Sequence, residues 1–229
     1  MTEETFDRIA HEYDHALLEH VVEHYLDKRV RYLVERCTRG RALDVGCGTG
    51  VLAGRLAGAG FEVTGVDPSQ GMLDVLADTH EAVRGVRGDG TALPFEDGVF
   101  DLSLTVAALH HVADPTAVQQ TLVEMVRVVR PGGRIVVWDH NPRNPYWRIL
   151  MAKVPQDDGS ERLVSEEEIV EGIRRGGAEV IGADQLGLVP DFVPPSLLGA
   201  ARVAERVVEK VPGLRRLCAH NVILAQRAG

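Results

Sequence analysis

The sequence has few cysteines, few aromatic residues and no long apolar run. Its three cysteines, Cys37, Cys47 and Cys218, are scattered and form no C-x-x-C pair, which argues against both a disulfide framework and a zinc site. No apolar stretch reaches the roughly 18 residues needed to cross a bilayer, and the acidic start of the chain is unlike a signal peptide. We therefore expect a cytoplasmic protein without a transmembrane segment.

Positive charge is also scarce, because 25 Lys and Arg residues face 34 Asp and Glu residues and leave a formal net charge of -9. Proteins that hold nucleic acid usually present a basic patch, so the composition argues against DNA or a large RNA as a partner. One local exception is a basic stripe at helical spacing, formed by Arg202, Arg206, Lys210, Arg215 and Arg216. This stripe is either a solvated face or a contact for an anionic substrate group or a membrane surface.

The length and the hydrophobic content of the chain fit a single domain of the size of an enzyme. A chain of 229 residues that is 45% hydrophobic can bury a core without disulfides or metals. Strands alternate with helices, which predicts an α/β fold with a Rossmann-like, doubly wound, mostly parallel sheet and helices on both faces. Strands are predicted near 41–46, 61–66, 82–87, 99–106, 133–139, 178–185 and 220–227. Helices are predicted near 14–38, 50–59, 69–79, 114–129 and 165–176.

We divide this single domain of residues 1–229 into an N-terminal helical cap (1–40), a core (41–185), a helical insertion (186–218) and a last strand (219–229). Within the insertion, Ser196–Val211 has apolar residues that fit one helix face. These are Leu197, Ala201, Ala204, Val208 and Val211. We expect the insertion to form a lid over a substrate pocket, together with residues 140–160 and the N-terminal helix. The alternative is a helix that packs on the sheet edge or on a second subunit of a homodimer.

The most informative segment is Ala42–Gly50, in which an apolar run is stopped by three alternating glycines, Gly46, Gly48 and Gly50. This pattern predicts a buried strand that turns sharply into a helix and lets a ligand lie against the turn. The dinucleotide fingerprint G-x-G-x-x-G fails, because Val51 occupies the position of the third glycine. Asp44 precedes the turn, where a carboxylate would repel a pyrophosphate and accept hydrogen bonds from an ammonium group.

Three further motifs follow. Phe61–Asp67 reads as a second strand that ends in an acidic residue, placed to accept hydrogen bonds from both hydroxyls of a ribose, or else to cap the next helix. Arg87–Phe95 carries Asp89 in a loop after the third strand. Glu96–Thr105 and Arg130–Asp139 read as the turns into the fourth and fifth strands.

In this order the motifs resemble those of the class I SAM-dependent methyltransferases, over roughly residues 6–185. The resemblance extends to the small-molecule branch that includes the ubiquinone and menaquinone biosynthesis methyltransferases. It implies S-adenosyl-L-methionine (SAM) as cofactor, S-adenosyl-L-homocysteine as product, and a seventh strand inserted antiparallel between the fifth and sixth. It also implies that Asp89 reads the adenine amino group and that Tyr13 lies over the cofactor, with a surface helix start as the alternative for the Tyr13 segment. The cofactor-binding residues expected are Tyr13, Asp44, Gly46, Cys47, Gly48, Gly50, Asp67, Pro68, Met72, Asp89, Gly90, Thr91 and Val106.

Three histidines at predicted strand ends are the candidate catalytic residues: His110, His111 and His140. Methyl transfer is an in-line displacement in which an oxygen nucleophile benefits from a general base, whereas an amine or activated carbon needs only orientation. His111 belongs to the L-H-H turn common in this branch, and we expect it to shape the turn by bonding the backbone. His110 or His140 is the expected base, with no base at all as the alternative, and Asp139 orients His140 or caps its loop.

Two other segments have both a binding and a structural interpretation. Basic residues beside Tyr146 and Trp147 could bind a carboxylate or phosphate of the substrate, or simply anchor a loop. These residues are Arg143, Arg148 and Lys153. The acidic run Glu166–Glu168 after Ser165 predicts a helix start and not a metal site. We expect no catalytic metal.

The sequence therefore predicts a SAM-dependent methyltransferase that acts on O, N or C of a small, partly apolar metabolite in a biosynthetic reaction. Two alternatives remain. One is an enzyme that binds SAM without methylating, such as an isomerase, cyclase or decarboxylase. The other is a non-catalytic binding protein on the same fold.

Overall fold

A computed structural model describes residues 3–11, 13, 18–150 and 161–229, without the side chains of residues 3 and 148–150. Seven strands form one sheet in the order β3-β2-β1-β4-β5-β7-β6. The strands are β1 (Arg41–Val45), β2 (Glu62–Asp67), β3 (Arg84–Arg87), β4 (Phe100–Val106), β5 (Val129–His140), β6 (Ala178–Leu186) and β7 (His220–Arg227). Only β7 is antiparallel to its neighbours, β5 and β6. The predicted doubly wound sheet and the insertion of its last strand are confirmed.

One strand begins earlier than predicted. The sequence places the start of β5 near residue 133, but Val129 already pairs with Phe100 of β4. The register then shifts, and regular pairing resumes where Arg134 meets Leu102. The Pro131-containing turn between these points is therefore an irregularity inside the strand, which a pattern of apolar residues does not reveal.

Eight helices occur in the described part of the chain, and they cover both faces of the sheet. They are α1 (Glu3–Ile9), α2 (Glu19–Arg36), α3 (Val51–Gly58), α4 (Gln70–Thr79), α5 (Pro115–Arg127), α6 (Pro145–Leu150), α7 (Glu166–Arg175) and α8 (Pro195–Lys210). The predicted helix 14–38 corresponds to α2, and residues 14–17 lie outside the described residues. Short α1 and α6 were not predicted as separate helices. No helix in the described part combines the length and the apolarity that crossing a bilayer requires.

Two apolar cores lie on opposite faces of the sheet. On one face α5 and α7 pack Leu122 and Ile173 against the strands, and on the other α2 and α3 contribute Leu33 and Leu56. A third, smaller cluster joins α2 to the segment after β6 through Tyr25 and Val189. This cluster places α2 above the carboxyl ends of the strands, where a ligand crevice forms in such sheets.

Helix α8 departs from the predicted apolar packing. Ala201 and Val208 are half-buried, but Leu197, Ala204 and Val211 on the same predicted face are exposed. The residue of α8 that is fully buried is Glu205. The most buried side chain that α8 places against the rest of the protein is thus a charged one, and Leu198 and Ala201 pack beside it on the cluster around Tyr25.

Candidate active site

The glycine turn between β1 and α3 leaves space against its backbone. Gly46, Gly48 and Gly50 all have positive φ angles, of 74°, 53° and 82°. The amide of Gly46 donates to the carbonyl of Val66 at 2.8 Å, which fixes the turn to β2. A Cβ built on Gly48 would meet no atom within 4 Å, so a ligand can approach the turn there.

Beyond this turn lies a cavity of about 610 Å³ at the carboxyl ends of the strands. Its described lining includes six of the predicted cofactor residues, namely Tyr13, Asp44, Gly46, Cys47, Gly48 and Val106. All three candidate catalytic histidines, His110, His111 and His140, line it as well. The structure thus brings the glycine turn and the histidines to one space, although they are far apart in the sequence.

The other predicted cofactor residues lie outside the described lining: Gly50, Asp67, Pro68, Met72, Asp89, Gly90 and Thr91. Met72 is buried, with its amide bonded to the Ser69 hydroxyl. Asp89 is exposed, and its Oδ1 atom accepts from the amide and the hydroxyl of Thr91. Their roles toward a cofactor stay predictions.

Asp67 is positioned by the backbone around it. Its Oδ2 atom accepts from the Gly48 amide at 2.9 Å and its Oδ1 atom accepts from the Ser69 amide at 3.0 Å. The N-cap of α4 is Ser69, whose hydroxyl accepts from the Met72 amide. The capping role considered for Asp67 therefore belongs to Ser69, and Asp67 links the glycine turn to the end of β2.

Asp44, which is buried, and Arg29, which is half-buried, both line the cavity. Burial raises the pKa of Asp44 to about 7, and the Asp67 carboxylate adds to the rise while Arg29 opposes it. Burial also lowers the pKa of Arg29, against the favourable charges of Tyr25, Asp139 and other groups. The Arg29 Nε atom is buried without a hydrogen-bond partner. A zwitterionic ligand would satisfy both groups, because its ammonium matches Asp44 and its carboxylate matches Arg29.

Sequence reasoning missed Arg29. Its signal is a charged residue on the apolar face of α2, four positions after Tyr25 and seven after Val22. Its guanidinium carbon lies 5.9 Å from the ring centroids of both Tyr25 and Trp138. These contacts hold the cation at the cavity wall, where it could read the anionic end of a ligand.

Asp139, at the end of β5, organises the histidines. Its Oδ2 atom accepts from the Leu109 amide at 2.8 Å, and its Oδ1 atom lies 2.9 Å from His110 Nδ1 and 3.2 Å from His140 Nδ1. Burial would raise the pKa of Asp139, but the two histidines outweigh it and hold that pKa well below its usual range. Asp139 therefore stays ionised and orients His110 as well as His140, although only His140 was expected to be its partner.

The other histidines differ in what surrounds them. Burial lowers the pKa of His140 to about 4, and the ring stands edge-on to Trp147 with centroids 3.6 Å apart. Burial lowers the pKa of His111 to about 2. Its Nδ1 atom is buried without a hydrogen-bond partner, and its ring stands edge-on to Phe6. The backbone bond expected for His111 is not made by this atom, and the role of the residue stays a prediction.

His220 is a fourth histidine at this site, and it belongs to no motif recognised in the sequence. It opens β7 and pairs directly with His140 across the antiparallel strands. Its Nδ1 atom is buried without a partner, and burial holds its pKa well below the usual range. Only the antiparallel insertion of β7 brings it to the cavity.

One group of described side chains has the composition of a metal site: His110, Asp139 and His140. Two imidazole nitrogens and a carboxylate oxygen lie 2.9 to 3.2 Å from one another. Such a set can face a divalent ion from one side. The sequence predicted no metal because it shows no ligand spacing, and these three residues come from the turn after β4 and the end of β5. Without an ion, the same three side chains form a hydrogen-bonded network.

The polar segment after β5 is largely structural. Arg143 forms an exposed ion pair with Glu167 at 2.7 Å, and the Tyr146 hydroxyl donates to Asp191 at 3.0 Å. The side chain of Arg148 and all of Lys153 lie outside the described residues. Ser165 caps α7 by accepting from the Glu168 amide, as the sequence predicted for a helix start. The loop-anchoring interpretation therefore holds for Arg143, and Tyr146 and Trp147 line the cavity.

Fold and site together define a Rossmann-like protein with a crevice at the carboxyl ends of its strands. Residues 43–137 match the family described as "Methyltransferase domain". Over 158 residues the chain is 36% identical to a demethylmenaquinone methyltransferase of Mycolicibacterium vanbaalenii, covering 66% of this chain and 67% of that enzyme. The chain belongs to the SAM-dependent methyltransferase family, whose cofactor is SAM.

Further proteins are similar to this chain. A 37.1 kDa transposon protein of Streptomyces fradiae is 35% identical over 76% of this chain and 50% of its own length. The chain spans about half the length of several of its curated relatives. A SAM-dependent methyltransferase structure from Thermotoga maritima superposes with a TM-score of 0.72 at 23% identity, covering 98% of both chains. At this identity the likeness supports the fold alone.

Proposed function

We propose that this protein transfers a methyl group from SAM to a hydroxyl oxygen of a small, partly apolar acceptor, and that His110 is the general base. The observation that carries the proposal is the contact between His110 Nδ1 and the ionised, buried Asp139 at the cavity wall. With Nδ1–H donating to Asp139, the Nε2 atom of His110 keeps its lone pair and can accept a proton.

The residues that would hold the cofactor are those of the glycine turn and its surroundings. The cavity fits the group, since Gly48 leaves open space and the buried Arg29 Nε atom lacks a partner. Asp44 would bind the ammonium and Arg29 the carboxylate of the amino-acid end. Asp67 would bind the ribose, and Asp89 the adenine. When bound, SAM supplies an electrophilic methyl group on a sulfonium.

Transfer from that sulfonium would be a single displacement onto the acceptor oxygen, with the electron pair of the broken carbon–sulfur bond kept by sulfur. His110 takes the hydroxyl proton, and Asp139 stabilises the imidazolium that forms. His140 is neutral near pH 7, so it packs beside His110 without adding a competing charge.

The acceptor side of the cavity is mostly apolar. Its lining includes Val21, Val22, Trp147, Leu188 and Val189. This composition supports a partly apolar acceptor with a reactive polar group. Because several relatives are named demethylmenaquinone methyltransferase, prenylated hydroquinones belong in the first panel of acceptors.

Calorimetric titration tests cofactor binding without knowledge of the acceptor. We expect SAM and S-adenosylhomocysteine to bind, and Asp44→Asn and Arg29→Met each to weaken both about 10- to 100-fold, as loss of a charged hydrogen bond would. Asp78→Asn, an exposed carboxylate on α4, is the matched control and should bind normally. Normal binding by both site variants would contradict the assignment of the zwitterion pocket.

Transfer of labelled methyl groups to a panel of hydroxylated acceptors tests the base. We expect His110→Ala to lower kcat about 10²- to 10⁴-fold with cofactor affinity unchanged. Asp139→Asn should lower it as well, because the amide cannot stabilise the imidazolium. EDTA should leave the rate unchanged. A rate abolished by EDTA and restored by a divalent ion would show that the three side chains bind metal and would overturn the base assignment.

A further inference from the structure

The outer face of α8 is apolar and faces solvent. Val203 is 54% exposed, Val207 57% and Leu197 55%. At helical spacing these side chains share one face with Ala200, Ala204 and Val211. The face continues past the end of the helix to Leu214, which is 49% exposed, and Leu217, which is 51% exposed. We call these eight residues the α8 patch.

The orientation of α8 is fixed by Glu205 on its inner face. One Glu205 oxygen contacts His24 at 2.9 Å and Lys28 at 2.6 Å, and the other accepts from the Leu188 amide at 2.7 Å. Turning the apolar face inward would break these bonds and expose the core cluster around Tyr25. The patch is thus held outward and is not a helix face waiting to collapse onto the domain.

The charges beside the patch are positive, although the chain as a whole carries -9. Arg206, Lys210 and Arg216 are exposed on or just after α8. No carboxylate of the described residues lies within ion-pair distance of these three side chains, whereas Glu209 is turned inward to Lys28. An outward apolar face flanked by basic residues is the pattern of a helix that lies in the interface of an anionic membrane.

The same charges argue against a second copy of the chain as the occupant. A two-fold dimer places the same patch on both sides of the contact, so the basic residues of the two copies would meet. Positive charges facing each other across an apolar contact destabilise it. Anionic lipid headgroups have the complementary sign.

The patch is continuous with the rim of the cavity. Leu217 belongs to both, because it lines the cavity while half of it is exposed. Phe192, which is 72% exposed, lies next to Tyr146 of the cavity wall, with ring centroids 6.4 Å apart. A surface that contacted the patch would therefore reach the rim.

We propose that α8 and residues 211–217 dock onto an anionic lipid bilayer, with the α8 patch inserted among the headgroups and the basic residues on lipid phosphates. This presents the cavity rim to the membrane, from which an apolar acceptor can enter. The docking rests on the surface alone, and only the route of the acceptor rests on the proposed function.

Co-sedimentation with vesicles tests the docking without any assay of activity. The probes are vesicles of phosphatidylglycerol and phosphatidylcholine, compared with phosphatidylcholine alone. We expect binding to the anionic vesicles, weakened by salt. The double variant Val203→Glu/Val207→Glu should lose roughly 100-fold in partitioning, about tenfold for each buried valine. Each of Arg206→Gln, Lys210→Gln and Arg216→Gln should lose about fivefold.

The control is Ile181→Glu, which changes an exposed apolar residue of β6 and should partition normally. Circular dichroism and calorimetric binding of SAM check that each variant is folded with its site intact.

Absence of binding to anionic vesicles, or equal binding to neutral ones, would overturn the proposal. So would a stable dimer in light scattering that Val203→Glu/Val207→Glu dissociates, since the patch would then be a subunit interface. Vesicle binding by a protein that transfers no methyl group would support the docking and contradict the proposed function.

Discussion

Helices α7 and α8 both have amphipathic sequences, but α7 buries its apolar face and α8 exposes most of its apolar face. In α7 the apolar residues Ile169 and Ile173 are fully buried, whereas Glu167 of the acidic first turn is exposed. In α8 Val203 and Val207 are exposed and the acidic Glu205 is buried. Helical periodicity therefore predicts that a face exists, but not which face meets the protein. The surface against which a helix packs decides this. The inner face of α8 meets His24 and Lys28 of α2 as well as the apolar cluster around Tyr25.

The largest loss of stability is expected when Glu205, the polar anchor of α8, is removed. Glu205→Ala would leave Lys28 with one carboxylate fewer and the amides of Leu188 and Val189 without an acceptor. Loss of one partner from a buried charged network costs about 4 kcal/mol. Urea unfolding followed by circular dichroism should show this loss.

Glu171→Ala is the matched control, because it removes an exposed glutamate from α7. It should change the free energy of unfolding by less than about 0.5 kcal/mol. Equal effects of the two substitutions would mean that Glu205 does not anchor α8.

Shortening one apolar side chain to alanine on each helix compares the contributions of the two faces to the free energy of unfolding. Ile173→Ala in α7 removes a fully buried side chain and should lower the free energy of unfolding by about 3 to 4 kcal/mol. Val207→Ala in α8 removes an exposed side chain and should change it by less than about 0.5 kcal/mol. Thermal and urea unfolding would give both values. A large loss for Val207→Ala would show that the face of α8 is packed in solution.

The sequence predicted local features better than long-range ones. The turn from β1 into α3 and the capped start of α7 each depend on a few consecutive residues, and both form as expected. Arg29 and His220 reach the site only through the docking of α2 and the antiparallel pairing of β7 with β5. No local pattern encodes those contacts. The inward position of Glu205 was missed for the same reason, because its partners lie 16 to 181 residues away.

Acid should weaken the attachment of α8 to the rest of the protein. The pKa of Glu205 is lowered to about 2: burial raises it, but hydrogen bonds and charges from His24, Lys28 and Leu188 outweigh that effect. A lowered pKa contributes stability above the unfolded value near 4.5, and that stability is lost as pH falls from there toward 2. The contribution is on the order of 3 kcal/mol.

This acid effect can be isolated with Glu205→Gln. Unfolding free energies of the unaltered protein and the variant should converge as pH falls from about 5 to 3, since the glutamine has no charge to lose. Arg202 and Glu209, which also lie on the inner side of α8, are common to both proteins. A constant difference across this range would contradict the role of Glu205 ionisation.

The smallest effect concerns how the two helices begin. α7 starts at Ser165, whose hydroxyl accepts from the Glu168 amide at 3.1 Å, whereas α8 starts after Pro194 with no side-chain cap. Ser165→Ala should lower the free energy of unfolding by about 1 kcal/mol, because one amide of the first turn loses its acceptor. Pro194→Ala removes no cap and should leave the helix start of α8 intact. Amide hydrogen exchange in the first turn of each helix measures the difference locally: faster exchange is expected in α7 only, and similar acceleration in both would show that packing, and not the cap, holds the start of α7.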